Sequence, residues 1–176
     1  KPVESQVLEE LLIKAARAPS GGNVQPWRVY VVNGPAMTRF RDFRDSRKAP
    51  ENAAYEIYPQ GLTEPYRSSR FKVGEDMYRL LGIPREDRGA RIRRLMENYN
   101  FFGAPAAIFC FVDKQMGPPQ WSDLGMFLQT FMLLATEAGL DTCAQEAWAA
   151  RPDTVAEFVG APPEQMLFCG VAIGFQ

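Results

Sequence analysis

Hydrophobic positions recur along the chain in patterns that predict its helices and strands. Between residues 7 and 16 the apolar side chains repeat every three or four positions, which is typical of an amphipathic helix. This helix should end at Ala18-Pro19, because the residue before a proline disfavours helical backbone. Later patterns predict helices over residues 35–47, 73–81, 84–98, 120–138 and 152–159, and strands over residues 27–32, 106–112, 140–143 and 165–175. The mixture predicts one α+β or α/β domain.

The predicted helix over residues 120–138 is apolar on nearly every side. Glu137 is its only charged residue after Asp123. A helix of this kind must be covered all round, either inside a large core or between subunits. A chain of 176 residues offers only a small core, so a subunit interface is the more economical explanation. The sequence therefore predicts a homodimer.

Residues 48–72 show neither a helical nor a strand period. Prolines and aromatic residues interrupt the segment throughout. So long an irregular stretch within a compact domain usually forms a lid, a binding loop or an arm that contacts another subunit. We expect one of these three roles for it.

Charge and composition exclude several classes of function. The chain carries 20 Lys and Arg against 21 Asp and Glu, a formal charge of −1, so neither nucleic acid nor an anionic membrane is expected as a partner. It contains no His, which excludes Ser-His and Cys-His nucleophile pairs and HExxH zinc sites. Its longest apolar run, residues 104–112, is too short to cross a bilayer. Three cysteines without paired spacing predict buried free thiols, no metal and a cytoplasmic protein.

A glycine-rich turn follows the first predicted helix. It reads Pro19-Ser20-Gly21-Gly22-Asn23-Val24-Gln25-Pro26-Trp27. Glycines let the backbone approach a ligand closely, while Ser, Asn and Gln supply hydrogen-bond donors and acceptors. A plain helix-to-strand turn would use much the same residue types, but it would not require the run Gln25-Pro26-Trp27. The turn is therefore a candidate binding site for a phosphate, a ribityl chain or a planar heterocycle.

Three segments resemble the FMN-dependent nitroreductase family. The glycine-rich turn after an Ala-rich helix resembles the signature of that family. Gly139-Leu140-Asp141-Thr142-Cys143 resembles the entry into a later strand, and Cys169-Gly170-Val171-Ala172-Ile173-Gly174-Phe175 resembles the last core strand. The three matches occur in the order of the family and span almost the whole chain.

The resemblance implies a single nitroreductase-like, flavin-binding α+β sandwich over residues 1–176, with a central, mostly antiparallel sheet flanked by helices. It also implies an interlocked homodimer with two FMN sites built by both subunits, in which residues 120–138 form the central dimer helix. The implied cofactor-binding residues are Pro19, Ser20, Gly21, Asn23 and Gln25, which reach the FMN of the partner, and Ala144, Gln145, Glu146 and Ala147, which lie against the isoalloxazine ring. A backbone N–H of the second segment would point at flavin N5.

The family also carries arginines before its first helix and basic residues after its last strand. These residues hold the FMN phosphate through fixed positive charge. Neither run is present between Lys1 and Gln176. We expect both ends of the sequence to be clipped; the alternative is that part of the phosphate site has been lost.

Two further groups are candidates for substrate binding. Tyr66, Arg67 and Arg70 could clamp the phosphate of a nicotinamide cofactor or an anionic substrate, although a solvated basic loop has the same composition. Met116 and Trp121 flank a Pro- and Gly-rich break and could line a channel over the flavin. A Trp packed at the dimer interface is equally compatible with the sequence.

The predicted activity is that of an FMN-dependent NAD(P)H oxidoreductase acting on nitroaromatic or quinone-type substrates. Such an enzyme needs no catalytic side chain, since flavin N5 carries the chemistry and the protein supplies binding and orientation. NADPH or NADH would reduce the flavin and leave before the oxidant binds, which is a ping-pong sequence. Reductive dehalogenation or alkene reduction on the same fold is an alternative, and so is a non-catalytic flavin-binding dimer.

Overall fold

The computed structural model describes residues 1–175. Its helices are α1 (Ser5–Ala15), α2 (Pro35–Ser46), α3 (Tyr66–Leu80), α4 (Arg88–Met96), α5 (Pro118–Glu137) and α6 (Pro152–Val159), and its strands are β1 (Arg28–Asn33), β2 (Ala106–Asp113), β3 (Asp141–Gln145) and β4 (Gln165–Gly174). Short 3-10 segments follow α1, α4 and β3, at Gly21–Asn23, Glu97–Gly103 and Glu146–Ala150. Within residues 1–175, no helix combines the length and the hydrophobicity that crossing a bilayer requires.

The strands form an antiparallel sheet in the order β1-β2-β4-β3. Strand β2 pairs with β1 on one side and with β4 on the other, so it lies in the interior of the sheet. Strand β3 pairs only with β4 and forms an edge. This arrangement confirms the α+β class and the antiparallel sheet.

Helices cover both faces of the sheet. The even-numbered residues from Ala106 to Val112 of β2 pack with α1 and α5, and the odd-numbered ones from Ala107 to Phe111 pack with α2, α6 and neighbouring 3-10 segments. Because both sides are covered, the first seven residues of β2 are all buried. This explains why the strand was visible in the sequence as a continuous apolar run.

A β-bulge interrupts the pairing of β2 with β4. Cys110 faces Cys169, while the next residue, Phe111, faces Leu167, so Phe168 has no partner on β2. An extra residue of this kind breaks the regular alternation of side chains between the two faces. Phe168 and Cys169 accordingly both pack on the α5 side of the sheet.

Helix α5 is buried on one face only within a protomer. Leu124, Phe127 and Phe131 are at most 1% exposed and belong to the same buried cluster as α1 and the sheet. Met126 and Leu133, on the other face, are 39% and 62% exposed. One protomer therefore does not cover this helix all round, and the expectation that a subunit interface covers the rest stays a prediction. Its outer face would need a cover from outside the protomer.

Helices α3 and α4 differ from the predicted helices. The irregular segment ends earlier than predicted, since α3 begins at Tyr66. Helix α4 begins at Arg88 rather than at Pro84, because the Asp87 side chain caps it by accepting a 2.8 Å hydrogen bond from the backbone N–H of Ala90. Neither helix contains a buried residue. The predicted basic loop therefore lies on the first turns of an exposed helix.

Candidate active site

A cavity of about 580 Å³ lies beside the edge strand β3, and we call it the β3 cavity. Residues of the following 3-10 segment, the bulge of β4 and helix α5 complete its walls. Its lining residues are Ile57, Tyr58, Leu95, Asn98, Gly125, Leu128, Met132, Ala144, Gln145, Glu146, Ala147, Phe168 and Cys169. The four residues predicted to lie against the isoalloxazine ring, 144–147, are thus all part of one ligand-sized cavity.

The backbone of this segment runs along the β3 cavity. Strand β3 pairs with β4 on one side only, so its outer edge is open. Glu146 and Ala147 begin a 3-10 helix, and the first N–H groups of a helix have no acceptor within it. The Ala147 carbonyl is fixed by a 3.2 Å hydrogen bond from the Tyr99 hydroxyl. The segment therefore combines an open strand edge with the start of a 3-10 helix, and Tyr99 holds its Ala147 carbonyl.

The buried side chain of Gln145 anchors residues 144–147 to the protein interior. Its side chain is 2% exposed, and its Nε2 donates to the Asn98 carbonyl at 2.8 Å. Below it, Trp148 packs so closely on Gly170 that a Cβ at residue 170 would lie 2.5 Å from Trp148 Cδ1. The amide of Gln145, predicted to bind the cofactor, is thus engaged with protein, and only the neighbouring backbone is left for a ligand.

An aromatic cluster adjoins the β3 cavity through Phe168. Trp121 packs against Phe168, with ring centroids 5.7 Å apart, and against Tyr55 at 5.5 Å. The Tyr55 hydroxyl donates to the Phe168 carbonyl, and burial raises the pKa of that phenol, so it remains a donor at neutral pH. Trp121 therefore lies next to the cavity, through Phe168. Met116, by contrast, packs against the core cluster of α1 and α5 and does not line the cavity.

The glycine turn (residues 19–25) lies away from the β3 cavity of its own protomer. Its backbone is held internally: Ser20 Oγ accepts a 2.9 Å hydrogen bond from the Gln25 N–H. The Gly21 N–H donates to both carboxylate oxygens of Asp123, at 3.2 and 3.3 Å. Gly21, predicted to bind the cofactor, therefore has no free backbone donor. The side chains of Asn23 and Gln25 remain exposed.

The residues predicted to clamp an anion lie around a second cavity. This cavity, the α3 cavity, has a volume of about 820 Å³ and is lined by residues from 59 to 78, among them Arg67 and Arg70. Arg67 forms a 2.7 Å ion pair with Glu64. The Arg70 guanidinium lies 3.8 Å from the centre of the Tyr58 ring, and Tyr58 also lines the β3 cavity. Tyr66 is 65% exposed and lines neither cavity.

The three cysteines differ in their surroundings. Cys110 and Cys169 are buried free thiols, as predicted; burial raises the pKa of both, that of Cys169 to about 11. Cys143 is exposed, so the prediction that all three are buried is wrong for this residue, which lies on the edge strand. Within residues 1–175, no group of three or more His, Cys, Asp and Glu side chains is arranged to hold a metal ion.

Several site residues were not found from the sequence. Tyr58 and Phe168 both line the β3 cavity. Tyr58 lies in an irregular loop and Phe168 is the bulge residue of β4, and neither a loop nor a bulge produces a periodic pattern of hydrophobic residues in the sequence. Asp123 did carry a signal, since it is a charged residue within an otherwise apolar helix. A buried charge usually has a specific partner, and that rule would have singled it out.

The lining of the β3 cavity fits a flavin. Apolar side chains of Leu128, Met132 and Phe168 suit a flat aromatic ring. The small side chains of Ala144 and Ala147 leave the backbone open to the polar edge of such a ring, where N–H groups can donate. The fold and the cavity thus define a cofactor-binding α+β protein.

Comparison with known proteins gives the family. The model of the Nitroreductase family matches residues 1–175, and the chain belongs to that family. Nitrobenzene nitroreductase of Ectopseudomonas oleovorans is 34% identical over 183 residues, which cover 99% of this chain and 79% of that protein. The 4-nitrobenzoate reductase of Pseudomonas putida is 31% identical over 99% of this chain and 77% of its own length.

Solved structures agree with this assignment. The FMN and NADPH-dependent nitroreductase NfnB from Sphigopyxis sp. strain HMH superposes with a TM-score of 0.94 at 44% identity, over 99% of this chain and 80% of that one. The FMN-dependent nitroreductase NfnB from Mycobacterium smegmatis, in complex with NADPH, gives a TM-score of 0.89 at 27% identity, over 99% and 79% of the two chains. The nitroreductase fold predicted from the sequence is confirmed.

Proposed function

We propose that this protein is an FMN-dependent NAD(P)H oxidoreductase that reduces nitroaromatic compounds. Membership of the nitroreductase family over residues 1–175 supports the reaction class. Relatives named for nitrobenzene and 4-nitrobenzoate support the substrate class. The observation that carries the proposal for this chain is the β3 cavity, which residues 144–147 line together with apolar side chains of α5 and β4.

The residues of the β3 cavity would bind and orient the cofactor. When bound, FMN accepts a hydride from NAD(P)H and delivers electrons to the nitro group. In this proposal the N–H groups of Glu146 and Ala147 would donate to the polar edge of the ring, which would favour negative charge there. Leu128, Met132 and Phe168 exclude water from one side, and Gln145 holds the donor segment in place through Asn98. The protein needs no acid or base of its own for this role.

We also propose that the enzyme is a homodimer and that the glycine turn completes the cofactor site of the partner. Two observations support this. The exposed residues of the turn, Asn23 and Gln25, do not line the β3 cavity of their own protomer. The exposed apolar residues Met126 and Leu133 of α5 leave a surface that a second protomer would cover.

Arg70 is our candidate for binding an anionic group of a substrate. Arg67 is already paired with Glu64, whereas Arg70 forms no ion pair within residues 1–175. Arg70 lines the α3 cavity and contacts the ring of Tyr58, which lines the β3 cavity. Arg70→Met should raise the KM for an anionic substrate several-fold, and Arg67→Met much less. A rise for NADPH but not NADH identifies the extra phosphate of NADPH as the ligand. A rise for 4-nitrobenzoate but not nitrobenzene identifies the carboxylate. Unchanged KM values for NADPH, NADH, 4-nitrobenzoate and nitrobenzene would exclude Arg70 as the residue that binds an anionic group.

An anaerobic titration tests the proposed activity. Purified protein reconstituted with FMN should lose the absorbance of oxidised flavin when NADPH or NADH is added. Subsequent addition of nitrobenzene should restore that absorbance. Failure to bind FMN would refute the cofactor assignment. Binding without reduction would indicate a non-catalytic flavin-binding dimer.

The donor segment can be tested by two neighbouring substitutions. Glu146→Gln keeps the backbone and should leave the rate of flavin reduction near that of the wild type. Ala147→Pro removes an N–H and fixes φ, so it should slow reduction strongly at saturating FMN. Rapid-reaction measurements under anaerobic conditions compare the two. A large effect of Glu146→Gln, with an active Ala147→Pro variant, would assign the role to the carboxylate instead of the backbone.

A further inference from the structure

Asp123 is a buried carboxylate that accepts hydrogen bonds from the glycine turn. It is 5% exposed and is the one charged residue within 1–175 that is buried as a whole. Both of its oxygens accept from the Gly21 N–H, which comes from 102 positions earlier in the chain. It forms no ion pair within the same residues. Burial of an unpaired carboxylate costs free energy that one hydrogen bond offsets only in part.

The turn that Asp123 holds has an unusual backbone. Gly22, Asn23 and Gln25 have positive φ angles, of 57°, 55° and 49°. Glycine adopts this left-handed conformation freely and Asn tolerates it, but Gln rarely adopts it. Such strained residues persist only where surrounding contacts impose them, and they cluster at functional sites.

Helix α5 imposes this conformation at both ends of the turn. At the entry, Asp123 binds the Gly21 N–H. At the exit, the Trp27 ring stacks on Phe127 with centroids 5.0 Å apart and an interplanar angle of 14°. Asp123 and Phe127 are four residues apart and therefore lie on the same face of the helix. Inside the turn, the Gln25 N–H is bound by Ser20 Oγ.

We propose that Asp123 is a positioning residue for the cofactor: it holds the glycine turn in the strained shape that presents Asn23 and Gln25 to the FMN of the partner protomer. This inference rests on the proposed function of the turn. A role in stability alone does not account for the residue, because an apolar side chain at a buried position is usually at least as stabilising as an unpaired carboxylate.

The test separates cofactor binding from stability. Asp123→Leu removes the acceptor and fills the site, so we expect an unchanged or higher melting temperature together with an FMN dissociation constant raised at least about tenfold. Hydrogen exchange at the Gly21 amide, followed by NMR, should become faster. Asp123→Asn keeps one acceptor oxygen and should recover most of the affinity. Asp113→Asn is the matched control, because Asp113 accepts a 3.0 Å hydrogen bond from the Gln115 N–H at a different turn.

Each outcome bears on the inference. Fast exchange at Gly21 with unchanged FMN affinity would overturn it while leaving the proposed function intact. Wild-type protein that binds no FMN would overturn the proposed function and the inference together. If Asp123→Leu does not fold, the Asn variant decides: affinity near that of the wild type with a protected Gly21 amide supports the inference, and weakened affinity despite a protected amide contradicts it.

Discussion

Helices α5 and α3 both carry many apolar residues, but they place them differently. Six residues of α5 are buried within the protomer, and none of α3 is. Phe71, Val73 and Leu80 of α3 are 54%, 66% and 79% exposed. Apolar surface exposed to this extent is rare on a monomer, whereas the inner face of α5 is covered by the sheet and α1 of the same protomer. The two regions should therefore respond differently to the same substitutions.

The largest difference should come from removing a phenylalanine ring. Phe131 of α5 is fully buried, so Phe131→Ala should lower the free energy of unfolding by about 3–5 kcal/mol, as large cavities in cores do. Phe71→Ala on α3 removes the same ring from an exposed site and should cost less than about 1 kcal/mol of protomer stability. Chemical denaturation of both variants measures the two losses. Comparable losses would mean that α3 is as tightly integrated as α5.

The second prediction concerns pH and two carboxylates. Glu51 accepts hydrogen bonds from Arg151 Nε at 2.8 Å and from the Thr154 N–H at 3.0 Å, at the start of α6. Burial acts to raise the pKa of Glu51, but the hydrogen bonds of Thr154 and the charge of Arg151 outweigh it and hold this pKa below its ordinary value of 4.5. A lowered pKa in the folded state stabilises the protein above the unfolded value, and the contribution is lost as the pH falls through the folded value.

Glu51→Gln should therefore cost about 2 kcal/mol at pH 7. The difference from the wild type should shrink progressively below pH 4.5. Glu75 is the control in the other region: its bond from Arg91 also lowers its pKa, but the Glu75 side chain is more exposed than that of Glu51, 33% against 8%. Glu75→Gln should thus cost less. Unfolding curves at several pH values check both variants, and a pH-independent loss for Glu51→Gln would contradict the assignment.

The third prediction compares one substitution in the two regions. A Cβ at Gly170 would lie 2.5 Å from Trp148 Cδ1, so Gly170→Ala should displace Trp148 and cost about 1–3 kcal/mol. A Cβ at Gly74, within α3, would meet no atom within 4 Å. Gly74→Ala should therefore stabilise the protein, by up to about 1 kcal/mol, through helix propensity. Thermal unfolding shows whether each variant is more or less stable than the wild type. A stabilised Gly170→Ala variant would show that Trp148 is free to move.

The smallest effect on protomer stability should come from a substitution that changes association of the protomers. Leu133 is 62% exposed on the outer face of α5. Leu133→Glu should leave the unfolding of the protomer nearly unchanged but raise the dimer dissociation constant at least about tenfold, because a charge would enter a dry interface. Leu133→Met keeps the site apolar and is the control. Sedimentation equilibrium distinguishes them, and a wild-type monomer at micromolar concentration would refute the proposed dimer.

The sequence predicted the elements whose side chains are buried with a regular period. Strand β2 was visible because both of its faces are covered, and α1 because one face packs on α5. The start of α3 at Tyr66 was missed, since a helix without a buried residue has no apolar period to detect. The outer face of α5 is exposed within one protomer, and hydrophobicity alone does not say which apolar residues a protomer covers by itself.

The candidate site was predicted less completely than the fold. The segment 144–147 was located from its resemblance to the nitroreductase family, and the structure places it along a cavity. Resemblance did not reveal which groups are already engaged: the Gln145 amide binds Asn98, and the Gly21 N–H binds Asp123. Those partners lie 47 and 102 positions away, and no local spacing rule connects residues so far apart.

The bulge at Phe168 places two consecutive residues of β4 in the same layer. In a regular strand, neighbouring residues point to opposite layers, so residue 168 and residue 169 could not both line one cavity. The surplus residue lets both do so, while Leu167 before it and Ala172 after it still pack in the opposite layer. Deleting one residue at this point would restore an unbroken alternation. Met166 and Leu167 on one side of the deletion, and Cys169, Val171 and Ala172 on the other, would keep their present layers, but the cavity would lose the wall that Phe168 forms. That wall therefore depends on a single inserted residue.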